Sequence, residues 1–544
     1  MQIIIPMSGL GQRFIDAGYQ DPKPLICIDN KPIIEHVVNL FPNESNFIFI
    51  CNKDHLEKTN MRAILNKIAP KGKIIELERH KYGPVYAVSK AFDSINDDEE
   101  VIVNYCDFST YWDYSDFLKH TRNRCADGAI PAYKGFHPHM LGSTNYAFIK
   151  QQNQWLEQIK EKEPFTNDRM AEYASNGTYY FKSGAILKKY FQQALDNDLN
   201  VNGEYYVSLV YNELVKDGLK VSVFEIQHML QWGTPLDLEE YRYWSNLFTS
   251  LSSLGLTINH HKFNIVVPMA GAGKRFSDEG YLNPKPMIPV SGSAMIKQVL
   301  KTLGSAEQYY FVCQKSLAKN DDFQTCVSKN SNSKIIKVDQ LTQGQACSAN
   351  LAVEEIKNKN PILITTCDSA IIFESRKLKE VCKDDPDLVV FTFKNYPGAN
   401  KNPQMYGWVQ SINSKIINTS IKKPLSPTPQ NDEGIVGTFY FKDKDIYQKC
   451  LKYLETNKML INNEFYIDSM IEAALQLGLV AKSIIVDQFL CFGTPNDLKT
   501  FNYWQSFFHK CSWHPYTIDN DKMVDQDQKQ SLIDECLFFK QENQ

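Results

Sequence analysis

Short apolar runs recur along the chain, each closed by a glycine, a proline or an acid, with amphipathic stretches between them. The first run, QIIIPM, leads into a glycine-rich loop. KPIIEHVVNLF follows, with its apolar positions at helical spacing and Pro32 suited to the first turn. NFIFICNK gives a second apolar strand, and KIIELE, after a helical region, a third short one. GPVYAVSKAF then reads as helix, and VIVNYCD as a buried strand ending on an acid. Strands apolar on both faces, alternating with helices, predict an α/β fold with a doubly wound, mostly parallel mixed sheet. Ligands of such sheets bind beyond the carboxyl ends of the strands, where the glycine loop and Asp107 both fall.

The whole pattern occurs twice. PMSGLGQRFIDAGYQDPKPLI (6–26) and PMAGAGKRFSDEGYLNPKPMI (268–288) share 13 of 21 positions, and the register then persists. VIVNYCD matches ILITTCD, NGTYYFK matches VGTFYFK, GEYYV matches NEFYI, and WGTPLDLEEYRYW matches FGTPNDLKTFNYW. The offset is 262 between Arg13 and Arg275 and 260 between Gly233 and Gly493, so the duplicated unit is a whole domain with small loop changes. The expected division is a first domain over 1–250, a linker over 249–262 and a second domain over 263–510. A C-terminal helical extension over 511–544, centred on SLIDECLFF, packs on the second repeat or on a partner.

Length and composition agree with this division. A chain of 544 residues exceeds one hydrophobic core, and 43% hydrophobic with 22% charged residues is ordinary for a globular protein. The net charge of −4 gives a nucleic-acid surface no support. No apolar run approaches the roughly 20 residues that span a bilayer. MQIIIPM lacks a basic start and a cleavage site, so a secretory leader is not expected. Thirteen cysteines, none in a CxxC pair and several inside apolar strands, indicate a reducing cytoplasm.

Gly9-Leu-Gly11-Gln-Arg13-Phe14 has no Gly-Lys-Ser/Thr ending, and Phe14 stands where a dinucleotide fingerprint needs its third glycine. What distinguishes the loop is Arg13 and Lys23 at the same spacing as Arg275 and Lys285. Glycines admit phosphate oxygens to backbone N–H groups, arginine offers a fork of donors, and lysine a point charge. Two cations on a glycine loop suit a triphosphate. Asp107 and Asp368 are hard carboxylates at strand ends and suit Mg²⁺.

In this combination (strand, GxGxRF, PKP, a glycine before a helix, a strand ending in Asp, a lysine before proline, a GTxYF strand and a terminal GTPxDL) each repeat resembles the sugar-phosphate nucleotidyltransferases, the nucleotide-sugar pyrophosphorylases and cytidylyltransferases, almost end to end. The resemblance implies tandem Rossmann-like, GT-A-like domains that transfer a nucleotidyl group from an NTP to a sugar phosphate or other small phosphate, releasing pyrophosphate with Mg²⁺ as cofactor. The loop form is closest to members associated with capsule and lipopolysaccharide assembly. It further implies that Ser8, Gly9, Gly11 and Gly83, with Ala270, Gly271, Gly273 and Gly344, hold the nucleotide. Arg13 and Arg275 would grip the leaving phosphates, and Lys23 and Lys285 the α-phosphate. Lys162 and Glu204 would meet the acceptor in the first repeat. In the second repeat Glu464 would do so, together with Lys422 or Lys423, which are rivals in IKKP. A homo-oligomer is an open alternative; nucleic-acid and membrane partners are not expected.

The sequence departs from the family where many members carry a second metal-binding aspartate. Gln231 and Cys491 stand there, neither a good Mg²⁺ ligand. His137 and His139 lack a third zinc ligand, so GFHPHMLGSTNYAF reads as an acceptor-specificity loop, with Tyr146 and its second-repeat counterpart Tyr406 as wall or core. Two rival readings stand against the nucleotidyltransferase. A GT-A glycosyltransferase would want a D-x-D where the chain reads Cys106-Asp107-Phe108. The other rival is one catalytic domain beside a regulatory, nucleotide-binding one.

Overall fold

The structure is a computed structural model that describes residues 1–142, 145–253, 260–328 and 332–537. It divides into two units. One comprises Met1–Ser245 with Lys510–His514, and the other Asn246–His509 with Pro515–Leu537.

In the first unit Gln2–Met7 lies in the middle of a parallel run. It pairs with Phe47–Asn52 on one side and Val101–Asn104 on the other, and Lys73–Leu77 extends the run. Its isoleucines are buried on both faces, as the unbroken apolar pattern requires. The direction then reverses at Thr178–Phe181, antiparallel to both Val101–Asn104 and Gly128–Tyr133. Val221–Glu225, Trp155–Glu161, Ala147–Gln152 and Tyr173–Ser175 complete a ten-stranded mixed sheet. Ile4, Ile48, Val103 and Ile130 pack with residues of the helices Gly83–Ser89, Gly184–Asp196 and Val207–Lys216 in one core.

The second unit repeats this plan with nine strands in the order Ser333–Val338, Ser305–Gln314, His260–Pro268, Ile362–Ile364, Glu433–Phe441, Leu388–Phe393, Ala481–Ile485, Lys415–Ile421, Gly407–Ile412. The single strand Glu433–Phe441 does the work of Tyr173–Ser175 and Thr178–Phe181 together. In each unit a short antiparallel ribbon stands apart from the main sheet. Phe108–Tyr111 pairs with His228–Gln231, and Ser369–Ile372 with Gln488–Cys491.

Four local expectations are refined. The strand of VIVNYCD stops at Asn104, and Asp107 lies in the turn before the ribbon. Pro32 is the residue before the helix Ile33–Val38 rather than its first turn. Of the 249–262 linker, 249–253 finish the helix Pro235–Ser253 and 260–262 already belong to the strand His260–Pro268, while 254–259 lie outside the described residues. In the region expected as an extension, Cys511–His514 falls in the first unit, and Pro515–Leu537, with the helix Lys529–Leu537, in the second.

Candidate active site

Each glycine loop leaves its strand at the carboxyl end. Gly11 and Gly273 adopt left-handed backbone, φ 64° and 62°, and begin the short helices Gln12–Asp16 and Lys274–Asp278. A β-carbon on Gly9 or Gly271 would meet nothing within 4 Å, so a stretch of bare backbone faces open space. Arg13 and Arg275 project from the following turn and are exposed. Lys23 and Lys285 each begin a 3-10 turn held between two prolines.

The lysines meet the aspartates. Lys23 Nζ donates to Asp107 Oδ2 at 2.8 Å, and Lys285 Nζ contacts Asp368 Oδ2 and donates to the Gly493 carbonyl at 3.0 Å. Burial alone would lower the pKa of both ammoniums, but the facing carboxylates outweigh it and the net shift is upward. Asp368 mirrors this, pushed up by burial yet held below its ordinary value by Lys285. The ribbons supply the opposite wall. Gln231 pairs with Phe108 and Cys491 with Ser369, directly beside the aspartates. Trp232 N–H donates to the Asp107 carbonyl and Phe492 N–H to the Asp368 carbonyl. A β-carbon on Gly233 would sit 3.3 Å from Asp107 Oδ2, and one on Gly493 3.5 Å from Asp368 Oδ2, so the terminal glycines leave room at the carboxylates.

The cleft of the first unit has two lobes, of about 530 and 410 Å³, that share Gly11, Lys23, Asp107 and Glu204. The larger runs along Pro6–Leu10 to His80, Lys81 and Gly83. Here Tyr82 N–H donates to His80 Nδ1 at 3.3 Å, so His80 carries its proton on Nε2 and donates it to Ser8 Oγ at 2.8 Å. Burial lowers the pKa of His80, which keeps the ring neutral at pH 7. The Ser8 hydroxyl, already an acceptor, has its own proton left to donate. Gly83, at φ 81°, is required by contact: a β-carbon would lie 2.8 Å from the Tyr205 backbone nitrogen. Gly344 meets Phe465 N at 2.6 Å in the same way. Paired backbone bonds (Tyr205 N–H to Tyr82 O and Val85 N–H to Tyr205 O) fasten the helix start to the segment carrying Glu204. That segment follows a tight turn with positive φ at both Asn202 and Gly203, as Glu464 follows Asn462 and Asn463.

The smaller lobe holds Arg13, Tyr146, Glu161, Lys162, Glu204 and Tyr206. Lys162 Nζ reaches Tyr206 Oη at 2.5 Å, and the Tyr206 hydroxyl bonds to the Glu204 carboxylate. Glu161 accepts from Ser208 Oγ at 2.6 Å, and burial raises its pKa against the pull of Ser208 and Lys162. In the second unit one cleft of about 550 Å³ combines both lobes, from Gly271 and Gly344 to Tyr406, Lys422, Glu464 and Asp468.

The predicted residues therefore converge. All line these clefts except Arg275, which comes close enough to act on Lys422 by charge, and Lys423. Of the rivals Lys422 and Lys423, Lys422 lines the cleft. Lys162 and Lys422 share left-handed backbone, φ 60° and 63°, and donate their N–H groups to Tyr146 and Tyr406, whereas Lys423 is exposed outside the cleft. Glu161, Tyr206, Asp468 and the Ser8–His80 pair escaped sequence reasoning. Only Glu161, next to Lys162, carried a signal there.

Asp107 and Asp368 can each offer one carboxylate to a cation. Beside them Gln231 brings a neutral amide. Cys491 brings a thiol that burial holds protonated, well above its usual range, and that donates to Asp497 Oδ2. Asp497 is itself occupied in a capping box with Thr494. Among the described residues no group of three or more His, Cys, Asp or Glu is placed to hold a metal, His137 and His139 included. His137 is fully buried with its pKa pushed down to about 3, and His139 bonds to Tyr133 Oη at 3.0 Å. No helix among them is long and apolar enough to cross a membrane.

A family model described as Nucleotidyl transferase matches residues 2–214 and again 265–505. Curated relatives include the Bifunctional protein GlmU of Campylobacter fetus subsp. fetus, 24% identical over 232 residues, covering 42% of this chain and 50% of the relative. GlmU of Staphylococcus epidermidis is 24% identical over 225 residues, covering 41% and 47%. The chain thus spans about half the length of the curated relatives it matches. Similar solved structures include a nucleoside-diphosphate-sugar pyrophosphorylase from Vibrio cholerae RC9, with TM-score 0.38, 22% identity and coverage of 44% of this chain and 99% of that one. Another is the inositol-1-phosphate CTP transferase from T. maritima, with TM-score 0.35, 16% identity and coverage of 45% and 95%.

Proposed function

Because the chain belongs to the nucleotidyl transferase family, whose model matches both of its halves, we propose that it is a tandem enzyme with two sites. Each would transfer a nucleotidyl group from an NTP to a sugar phosphate or similar small phosphate. The observation that carries this is the duplicated lysine–aspartate pair beside a bare glycine loop. In the reaction an acceptor phosphate oxygen forms a bond to the α-phosphorus while the bond to the bridging oxygen breaks, and pyrophosphate leaves. Such a transfer needs alignment and charge neutralisation rather than covalent help. Gly9 and Gly11, with Arg13, would hold the leaving phosphates. Lys23 would turn from Asp107 to the α-phosphate, where transition-state charge gathers. Lys162 would orient the acceptor phosphate, and Glu204 the group that carries it. Gly271, Gly273, Arg275, Lys285, Lys422 and Glu464 would repeat these roles.

The donor set fits Mg²⁺ on one carboxylate per site, Asp107 or Asp368, completed by phosphate and water oxygens. When bound, the ion would supply charge neutralisation on the phosphates. The lobe along Pro6–Leu10, with Gly83 and its counterpart Gly344, would take the nucleoside, and the Ser8–His80 pair against Ala270 and Leu341 favours different bases in the two sites. The loop form supports a cytoplasmic role in making capsule or lipopolysaccharide precursors. The test is a matrix of four NTPs against sugar 1-phosphates and other small phosphates, read as Mg²⁺-dependent pyrophosphate release. Arg13→Ala and Arg275→Ala are each expected to remove a separate activity by about 10²–10³-fold. Consumption of an NDP-sugar with no pyrophosphate released from any pair would replace this reading with a glycosyltransferase.

A further inference from the structure

Three neighbouring positions of the acceptor lobe change together between the units. Before Lys162 stands Glu161, and before Lys422 stands Ile421. Two residues after Tyr206 stands Ser208, and two after Tyr466 stands Asp468. After Tyr146 stands Ala147, and after Tyr406 stands Gly407. In the first unit the first two positions touch, since Ser208 Oγ donates to Glu161 Oε2 at 2.6 Å. Glu161 faces the cleft there and Ser208 is fully buried behind it. In the second unit Ile421 packs on the apolar core and the cleft is lined by Asp468. The glycine explains how the carboxyl fits: a β-carbon at 407 would lie 2.7 Å from Asp468 Oδ2, closer than side chains tolerate. An alanine like Ala147 would push the carboxyl away.

We infer that the second site reads its acceptor with a carboxyl moved from the strand wall to the helix wall of the lobe, Asp468 replacing Glu161, with Gly407 making the space. This rests on the proposed nucleotidyl transfer. Asp468 precedes the helix Ser469–Gln476, makes no side-chain cap bond to it and faces the cleft. Lys422 acts on it by charge and Arg275 acts on Lys422. With Lys422 already acting on the carboxyl, a second ammonium beside it is disfavoured and a hydroxyl is favoured. The acceptor phosphate of the second site therefore carries a hydroxyl that points to the helix wall. In the first site the corresponding hydroxyl points to the strand wall.

The test uses the full chain with the first site silenced by Arg13→Ala, assayed with hexose 1-phosphates, aminohexose 1-phosphates and alditol phosphates. Asp468→Asn keeps the shape and is expected to raise the acceptor KM at least tenfold while the NTP KM holds. Gly407→Ala should act in the same direction. Asp468→Ser combined with Ile421→Glu and Gly407→Ala should move the acceptor ranking toward that of the first site, measured with Arg275→Ala. Melting temperature confirms that each variant folds. Pyrophosphate release with unchanged acceptor KM and ranking in Asp468→Asn overturns the inference alone. A preference for the aminohexose phosphates that disappears in Asp468→Asn overturns the hydroxyl assignment. No release from any pair in either singly silenced parent, Arg13→Ala or Arg275→Ala, overturns the proposed reaction itself.

Discussion

Asp468 pays for its position in stability. Burial raises its pKa from the ordinary aspartate range to about 6, against the pull of Lys422. The folded chain therefore holds this proton more tightly than the unfolded chain does. The sign follows from linkage: stability is full below the ordinary aspartate pKa, falls as pH rises toward about 6, and stays low above it. Asp468→Asn removes the charged form. It should raise the melting temperature at pH 7.5 by roughly 4–8 °C, on the order of 2 kcal/mol, and by far less at pH 4. A flat difference across that range would mean that the carboxyl titrates as if exposed. A group that weakens the fold at neutral pH and faces a cleft fits a functional role better than a structural one. Glu161 is raised for the same reason, with Ser208 offsetting part of the cost. Neither burden was visible in the sequence, because the cost arises from neighbours on other strands and helices.

At the scale of elements, the two closures over Gly83 and Gly344 are the joints that build each cleft. Both glycines have positive φ and both would drive a β-carbon into the backbone of the segment after Glu204 or Glu464. Gly83→Ala and Gly344→Ala should each cost about 2–4 kcal/mol and part the nucleoside lobe from the glutamate, raising the KM for both substrates of that site alone. Differential scanning calorimetry with site-by-site kinetics would measure this, and a selective loss of NTP binding only would argue against the joint. Much at this scale was legible. Apolar runs marked the buried strands, and the repeat register paired Asp107 with Asp368 and Gly233 with Gly493. The antiparallel reversal at Thr178–Phe181 was not, because a strand buried on both faces reads alike in either direction. Nor was the end of the Val101–Asn104 strand short of Asp107, since the apolar Tyr105-Cys106 step continues the pattern while the chain already turns.

For the chain as a whole, what both units lack is as informative as what they keep. The lysine–aspartate pair, the glycine loop and the terminal Gly-Thr recur, yet the position beside each aspartate is an amide in one unit and a protonated thiol in the other. That neither unit sets a second carboxylate at this position fits the proposed Mg²⁺ arriving on the nucleotide in both sites. Without NTP the lysine of each pair already neutralises its aspartate, so little charge is left there to attract a free ion. Mg²⁺ alone should then leave the melting temperature unchanged, whereas Mg²⁺ with NTP should raise it beyond NTP alone. Gln231→Asp and Cys491→Asp should each give their own site a second carboxylate and lower the Mg²⁺ concentration for half-maximal rate there, leaving the other site untouched. Saturable binding of Mg²⁺ to the nucleotide-free chain, lost on Asp107→Asn or Asp368→Asn, would show instead that the aspartate holds the ion by itself and that the lysine yields to it before any nucleotide arrives.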